Sequence, residues 1–250
     1  MSSDTPDPSE LLAYLWYHLR DSILAGSCRL WACSGSRARQ VGSPEYHQEV
    51  SRLGDKAETK HALVILGSPR KNGNSAALAA RIARGAKSVG AHVETIFLQD
   101  LDISPCRGCD TCKEPGSTGC AINDDMQEVY PKLIEASSWV IASPVYWFTM
   151  SAQTKIFMDR CYGLTAYAEN PFAGKRIGIA MSYGDSDAVR SGCVNAIRTF
   201  QDAFRYTGSK IAGMVYGSAM KAGDIENNAA LMREAEELGK RLVASTRHTA

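Results

Sequence analysis

Four cysteines in the middle of the chain have a spacing that can bind a metal centre. They follow the pattern Cys-x2-Cys-x2-Cys-x7-Cys and are Cys106, Cys109, Cys112 and Cys120. Proline and glycine residues around them force turns, so a continuous helix is excluded. Three closely spaced thiolates can cover one face of an iron-sulfur cubane, and the longer last interval lets Cys120 return to the fourth iron. The spacing therefore favours a [4Fe–4S] cluster in a loop over residues 105–120.

Two other interpretations of this cysteine loop stay open. Structural zinc also accepts four thiolates, although its usual layout is two separated Cys-x2-Cys knuckles. The loop can also be reduced and hold no metal. Two further cysteines, Cys161 and Cys193, fall on predicted helices, where we expect them to be small residues of the core.

A polar loop is predicted after the first strand of the regular part of the chain. Residues 67–75 have the sequence Gly-Ser-Pro-Arg-Lys-Asn-Gly-Asn-Ser and precede a predicted helix. Gly67 and Gly73 let the backbone approach a ligand, and the helix N-terminus adds free N–H groups. Ser68, Asn74 and Ser75 can donate hydrogen bonds, so the loop predicts a phosphate site. It matches neither the dinucleotide fingerprint nor the P-loop, which removes the main support for a nicotinamide dehydrogenase or an ATPase.

Two further loops follow later strands of the predicted sheet. Residues 143–148 have the sequence Ser-Pro-Val-Tyr-Trp-Phe, and residues 182–185 have the sequence Ser-Tyr-Gly-Asp. A flat heteroaromatic ligand can stack on the three aromatic residues while backbone groups bind its rim. The alternative is that the aromatic residues pack on a neighbouring helix or subunit. Together with the phosphate loop, the pattern favours a ligand that has a phosphate at one end and a planar ring at the other.

The sequence from residue 61 onward predicts a scaffold that brings these loops together. Short apolar runs alternate with longer amphipathic stretches, as in an open α/β sheet. The predicted strands are residues 62–66, 92–98, 139–142, 176–181 and 210–216, and the predicted helices are residues 75–89, 124–136, 152–162, 187–206 and 225–244. Right-handed crossovers place the loops after the strands at one edge of the sheet. The predicted fold is a doubly wound, five-stranded parallel sheet with helices on both faces.

Four motifs occur in one order within residues 61–246: Gly-Ser-Pro-Arg-Lys-Asn-Gly-Asn-Ser, Pro-Cys-x-Gly-Cys-x-x-Cys, Asp-Asp-Met and Ser-Pro-Val-Tyr-Trp. In this order they resemble the flavodoxin-like NAD(P)H-dependent FMN reductases, and more narrowly the iron-sulfur flavoproteins. The resemblance implies a flavodoxin-like sheet that binds FMN. It implies phosphate contacts from Ser68, Arg70, Asn74 and Ser75. It places the isoalloxazine against Pro144, Val145, Tyr146, Trp147 and Phe148, with Tyr183 and Gly184 closing the other side of the ring.

The resulting hypothesis is a flavin-dependent NAD(P)H oxidoreductase. FMN would accept two electrons and pass them singly to the cluster or to an external acceptor. One alternative keeps FMN without a cluster, as an NAD(P)H-dependent flavin or quinone reductase. An alternative of another class is a non-enzymatic FMN-binding electron carrier or scaffold. The expected partners are small-molecule or protein electron donors and acceptors, and the resemblance implies a homodimer or homotetramer with the flavin near a subunit boundary.

Composition excludes several classes of function. Hydrophobic residues make up 44% of the chain and charged residues 22%, so a wholly disordered protein is excluded. The formal net charge of +1 argues against a nucleic-acid binder that depends on bulk positive charge. No apolar run reaches the roughly 20 residues of a membrane span. The acidic N-terminus does not fit a secretory signal, so we expect a cytoplasmic location without membrane attachment.

The first 60 residues are predicted to form an extension, separate from an FMN-binding domain at residues 61–250. Apolar residues recur at helical spacing from Ser9 to about Ala25, which predicts one amphipathic helix. We expect this helix to pack on a subunit. The segment up to residue 60 shows no clear period and is interpreted as a linker.

Charged residues near the motifs have structural explanations, and no catalytic side chain is assigned. Asn123 or Asp124 is well placed to cap the following helix. Lys155 and the neighbouring Asp159 and Arg160 are expected at the surface or in ion pairs. The five histidines occur in none of the motifs, so no nucleophile-histidine-acid set is predicted.

Overall fold

Three of the strands are nearly continuous apolar runs, which fit a sheet that is covered on both faces. The computed structural model describes residues 60–244. The predicted N-terminal helix and nearly all of the linker after it lie outside the described residues. Among residues 60–244, none of the helices combines the length and the apolar character needed to cross a bilayer.

The described residues form an alternation of strands and helices. The strands are β1 (His61–Leu66), β2 (His92–Phe97), β3 (Ser138–Tyr146), β4 (Thr149–Met150), β5 (Arg176–Tyr183) and β6 (Lys210–Ser218). The helices are α1 (Asn74–Ser88), α2 (Met126–Glu135), α3 (Ala152–Arg160), α4 (Cys193–Tyr206) and α5 (Ala229–Leu242). Short 3-10 segments are present at Leu98–Asp100, Thr111–Lys113, Cys161–Ala166 and Asp224–Asn227.

The main sheet has the strand order β2-β1-β3-β5-β6, and all its neighbouring strands are parallel. This confirms the predicted five-stranded parallel sheet. The two-residue strand β4, which the sequence did not predict, pairs antiparallel with the end of β3. Strand order reverses between β1 and β3, so the loops that follow these strands lead to opposite faces of the sheet and leave a crevice for a ligand.

Each face of the sheet has its own hydrophobic core, because successive strand residues point to opposite faces. Leu63 and Trp139 pack with residues of α2, α3 and α4 on one face. Val64 and Val140 pack with residues of α1 and α5 on the other face. The predicted covering of both faces by helices is therefore confirmed.

Helix α4 begins later than the sequence predicts, because the side chain of Asp187 forms a local turn first. In the turn before α4, the Asp187 carboxylate accepts hydrogen bonds from the backbone N–H groups of Val189 at 2.8 Å and Arg190 at 2.9 Å. Gly192 then enters α4 with a φ of +78°. The predicted start at residue 187 is therefore six residues too early.

Helices α1 and α5 pack so closely that glycine is required at their contact. A Cβ atom on Gly85 would overlap the backbone oxygen of Glu236, and one on Gly239 would overlap the backbone oxygen of Ile82. This close contact fixes α1, whose first turn follows the polar loop of residues 67–73, against the rest of the domain.

We predict that Gly85→Ala lowers the free energy of unfolding by about 2 kcal/mol, because a methyl group forced against a backbone must displace a helix. The matched control is Gly178→Ala in β5, where the nearest atom to a new Cβ would be Leu242 Cδ1 at 3.7 Å. Urea unfolding measures both variants. Equal stability of the two variants would contradict the close contact.

Candidate functional site

The three loops predicted to bind a ligand follow β1, β3 and β5 at the carboxyl edge of the sheet. The first two are joined directly, since the Gly67 backbone N–H donates to the Ala142 oxygen at 2.8 Å. The third loop joins the segment after β6, where the Ala219 N–H donates to the Tyr183 oxygen at 2.7 Å. The structure therefore brings the predicted phosphate and ring regions to the same edge.

The polar loop after β1 is a tight turn that leaves helix N–H groups free. Ser68 is 3% exposed, and its Oγ accepts the N–H of Arg70 at 3.0 Å. The N–H of Gly73 donates to the Arg70 oxygen at 3.1 Å, and Gly73 offers no side chain to cap α1. The first turn of α1 contains no acidic residue. Unpaired N–H groups at a helix start suit an anion, with the Arg70 side chain exposed beside them.

The Asn74 side chain, predicted to contact the phosphate, forms hydrogen bonds with the loop after β6. Its side-chain amide donates to the Lys221 oxygen at 2.8 Å, and its Oδ1 accepts the N–H of Gly223 at 3.0 Å and that of Ile225 at 3.4 Å. Both ends of the amide are therefore engaged with the loop after β6. The structure gives Asn74 a positioning role, in which it ties that loop to the start of α1.

Ser151 forms a hydrogen bond with Gly67, the first residue of the polar loop. The sequence analysis did not identify Ser151 as a residue of the site. It is the N-cap of α3, where its Oγ accepts the N–H of Thr154 at 3.2 Å and donates to the Gly67 oxygen at 2.6 Å. Its own N–H donates to Ser143 Oγ at 3.0 Å. A Cβ on Gly67 would overlap the Thr154 side chain. A serine before a helical pattern is a known capping signal, so the residue was detectable, but its long-range contacts were not.

The aromatic loop is a two-residue hairpin between β3 and β4. Tyr146 pairs with Thr149, and the turn residues Trp147 and Phe148 have φ values of +49° and +65°. Positive φ at both positions suits a tight hairpin, but it costs free energy for residues other than glycine. Trp147 is 92% exposed and Phe148 57% exposed. The hairpin therefore presents aromatic area to solvent at the edge where the polar loop lies.

Helix α4 holds this hairpin in place from the other side. The Asn195 side chain donates to the Phe148 oxygen at 3.0 Å. A Cβ on Gly192 would lie 2.5 Å from Phe148 Cα, so only glycine fits there. Of the other predicted ring contacts, Pro144 is buried within β3 and Val145 is half-buried.

Tyr183 and Gly184 end β5 at the same edge. Tyr183 is half-buried, and burial raises the pKa of its hydroxyl above the ordinary value. A Cβ on Gly184 would lie 3.1 Å from Met220 Sδ in the loop after β6. The predicted ring contacts are thus at one edge, and their contact with a ring stays a prediction.

The cysteine loop follows β2, and its four cysteines line a single pocket with Arg160. Cys112 is buried, Cys120 is half-buried, and Cys106 and Cys109 are exposed. Burial raises the pKa of the Cys112 thiol, and the nearby Cys120 adds to that effect. A hydrogen bond from the Thr111 backbone lowers the pKa of Cys109. Within residues 60–244, no three His, Cys, Asp or Glu side chains are arranged to hold a single metal ion.

A buried ion pair anchors both ends of this loop. Arg160 binds Asp124 through two hydrogen bonds, from Nη1 to Oδ2 at 2.5 Å and from Nη2 to Oδ1 at 3.0 Å. The two side chains are 1% and 5% exposed. Arg160 Nη1 also donates to the Ser104 oxygen at 2.8 Å, and Nη2 lies 3.6 Å from Cys120 Sγ.

The pair gives Asp124 a second partner in the interior and places Arg160 in an ion pair, as one of its two predicted settings. Asp124 does accept the N–H of Met126 at 3.1 Å, as a helix-start residue should, but it mainly binds Arg160 in the interior. Burial acts to raise the pKa of Asp124, and hydrogen bonds from Arg160, Ser104 and Met126 outweigh it, so the pKa is lowered. The neighbouring Asp159 pairs with Lys155 at 2.7 Å on the surface, as predicted.

Known proteins match this chain in sequence and in fold. Residues 61–216 match the family model described as NADPH-dependent FMN reductase. The chain belongs to this family. The resemblance found in the sequence motifs is confirmed.

Two curated relatives are iron-sulfur flavoproteins. The one from Methanocaldococcus jannaschii is 42% identical over 96 residues, which are 38% of this chain and 49% of that protein. The one from Methanosarcina thermophila is 31% identical over 149 residues, which are 60% of this chain and 75% of that protein. The chain therefore spans about half the length of the first relative and three quarters of the second.

A solved structure shows the same fold. The NAD(P)H:quinone oxidoreductase from Methanothermobacter marburgensis aligns with a TM-score of 0.57 and 16% identity, and the alignment covers 75% of this chain and 98% of that one. At this identity the likeness concerns the fold alone. Together with the strand order, it confirms the predicted flavodoxin-like architecture.

We predict that Asp124→Ala lowers the free energy of unfolding by about 3–5 kcal/mol, because it leaves the Arg160 charge buried without a partner. Asp159→Ala removes an exposed pair from the same region and should cost less than about 1 kcal/mol. Urea unfolding at neutral pH compares the two variants. A similar small loss in the free energy of unfolding for both would contradict the anchoring role of the Asp124–Arg160 pair.

The wild-type advantage over Asp124→Ala should also depend on pH. A carboxyl whose pKa is lowered in the fold stabilises it above the unfolded pKa, and this stability is lost as the pH falls through the folded pKa. The folded pKa of Asp124 lies below the ordinary value of 3.8. We therefore expect the difference between the two proteins to shrink below pH 3.8, as measured by unfolding at several pH values.

Proposed function

We propose that this protein is an FMN-dependent oxidoreductase that also carries a [4Fe–4S] cluster, with NAD(P)H as its electron donor. The observation that carries the proposal is the single pocket lined by Cys106, Cys109, Cys112 and Cys120. In a chain of the FMN reductase family, such a pocket would add a second redox site to the flavin site proposed at the carboxyl edge of the sheet. The names of the iron-sulfur flavoprotein relatives support the same combination.

The residues of the polar loop fit the phosphate of FMN. Ser68 and Ser75 are buried at the turn, and the start of α1 has unpaired N–H groups. The exposed side chain of Arg70 supplies a positive charge for the phosphate dianion. We revise the predicted set in one respect, since Asn74 acts through the loop after β6 and not on the phosphate itself.

The residues of the cysteine pocket fit a cluster. The four cysteines and Arg160 line one pocket, and the buried Nε–H of Arg160 has no hydrogen-bond partner among the described residues. A buried N–H without an acceptor is costly, so a sulfur-rich acceptor in the pocket accounts for it. The exposed positions of Cys106 and Cys109 leave the pocket open to assembly from one side.

The side chains of this chain bind and orient, and none is required to transfer a proton. FMN, when bound, accepts two electrons as a hydride and releases them one at a time, and a cluster accepts them singly. Trp147 and Phe148 offer apolar surface that keeps water from a ring at this edge. Tyr183 and Gly184 would close the ring's other side. The predicted homodimer or homotetramer is retained as part of the proposal, with the exposed hairpin as its contact.

We predict that Ser68→Ala raises the Kd for FMN about 10- to 100-fold, because it removes a hydrogen bond to a charged phosphate. Ser88→Ala is the matched control, since Ser88 lies at the other end of α1 and donates to the Gly85 oxygen at 2.8 Å. Quenching of FMN fluorescence on titration into flavin-free protein gives both constants. An unchanged Kd for Ser68→Ala would refute the phosphate assignment.

We predict that Cys112→Ala and Cys120→Ala lose the iron that the wild-type protein holds, about four atoms per chain. Cys193→Ala is the control, because Cys193 is buried at the start of α4. Anaerobic absorption spectra detect the flavin and an iron-sulfur cluster in one measurement. Iron and zinc analysis then identifies the bound metal. Flavin bands without iron in the wild type would favour a cluster-free NAD(P)H-dependent flavin or quinone reductase, and zinc in place of iron would favour a structural site.

A further inference from the structure

Arg160 has more hydrogen-bond donors than its ion pair uses. A guanidinium carries five N–H groups in a fixed plane. Nη1 donates to Asp124 Oδ2 and to the Ser104 oxygen, and Nη2 is directed at Asp124 Oδ1 and Cys120 Sγ. The Nε–H, which is buried, has no partner among the described residues.

Asp124 cannot satisfy this remaining donor. Its Oδ2 accepts from Arg160 and from the N–H of Ser104 at 2.9 Å, and its Oδ1 accepts from Arg160 and from the N–H of Met126 at 3.1 Å. These four bonds fill the acceptor sites of the carboxylate. The pocket that Arg160 lines with the four cysteines can supply an acceptor for Nε.

We propose that Arg160 is a positioning residue that sets the reduction potential of the cluster. This inference rests on the proposed function. Arg160 donates to the Sγ of the ligand Cys120, and its Nε–H is the donor left for a further sulfur in the pocket. Hydrogen bonds to cluster sulfurs and a nearby positive charge stabilise the more negative, reduced state. Arg160 therefore raises the potential, and Asp124 limits this effect by neutralising part of its charge.

Two variants of this pair should move the potential in opposite directions. Arg160→Gln removes the charge and the directed N–H groups, so the reduced state loses stabilisation and the potential falls. Asp124→Asn keeps an oxygen acceptor for Arg160 but removes the neutralising charge, so the potential rises. If the pair had only a structural role, both substitutions would destabilise the cysteine loop. They would not shift the reduction potential in opposite directions.

The experiment is a potentiometric titration of the full-length, iron-loaded protein, followed by the EPR signal of the reduced cluster. We expect Arg160→Gln to change the one-electron reduction equilibrium at least about tenfold, which is a fall of about 59 mV, and Asp124→Asn to raise the potential. Arg160→Lys should fall between Arg160→Gln and the wild type, because it keeps the charge without the planar donors. Arg198→Gln is the control, since Arg198 is exposed on α4 and pairs with Asp202 at 2.7 Å.

The outcomes separate this inference from the proposed function. Absence of iron from the wild type refutes the cluster and the inference together. An iron-loaded Arg160→Gln with an unchanged potential refutes the inference and leaves the proposed function standing. Shifts of the two variants in the same direction also refute it.

A second measurement needs no substitution at Arg160. Guanidino-¹⁵N arginine is incorporated into a protein that carries Arg107→Lys, because Arg107 also lines the pocket. Pulsed EPR of the reduced cluster should then detect a nitrogen coupling from Arg160. A cluster signal without this coupling overturns the inference even if every Arg160 variant fails to fold.

Discussion

The buried pair of Asp124 and Arg160 is the interaction on which the arrangement of the cysteine loop depends. Removing two charges from water costs several kcal/mol, and a buried pair is tolerated only when its geometry and remaining hydrogen bonds are good. Here the carboxylate accepts four hydrogen bonds, and the guanidinium reaches Ser104 before the cysteines and Cys120 at their end. A long loop that contains several glycines is thereby closed at its base.

Helix α3 connects this anchor to the edge of the sheet where the polar loop lies. Its N-cap, Ser151, donates to the Gly67 oxygen of the polar loop, and its last residue, Arg160, binds both ends of the cysteine loop. Nine residues of helix span about 14 Å at 1.5 Å per residue. One rigid helix therefore sets the spacing between the two proposed redox sites, and the sheet supports it on the other side.

Local patterns were enough to predict the sheet and most helices, because each strand is an apolar run and each helix has an apolar stripe. The long-range contacts that position the residues of the site could not be predicted from local sequence patterns. Asp124 and Arg160 are 36 residues apart, and nothing in either local sequence indicates that the two charges meet in the interior. The positive φ values of Trp147 and Phe148 were also not predictable from the sequence, since aromatic residues do not favour that conformation. The hydrogen bonds of Asn74 were also beyond local patterns, because their partners lie about 150 residues away, on the loop after β6.

The order of residues along the chain has a consequence for assembly during synthesis. Cys120 precedes Arg160 by 40 residues, so all four cysteines are synthesised before the residue that closes their loop. A domain of this kind is synthesised from its N-terminus at about 5–20 residues per second, which leaves the thiols without their anchor for seconds. During that interval the thiols are open to oxidants and to stray metal ions, and the folding of α3 ends it by bringing Arg160 against the loop.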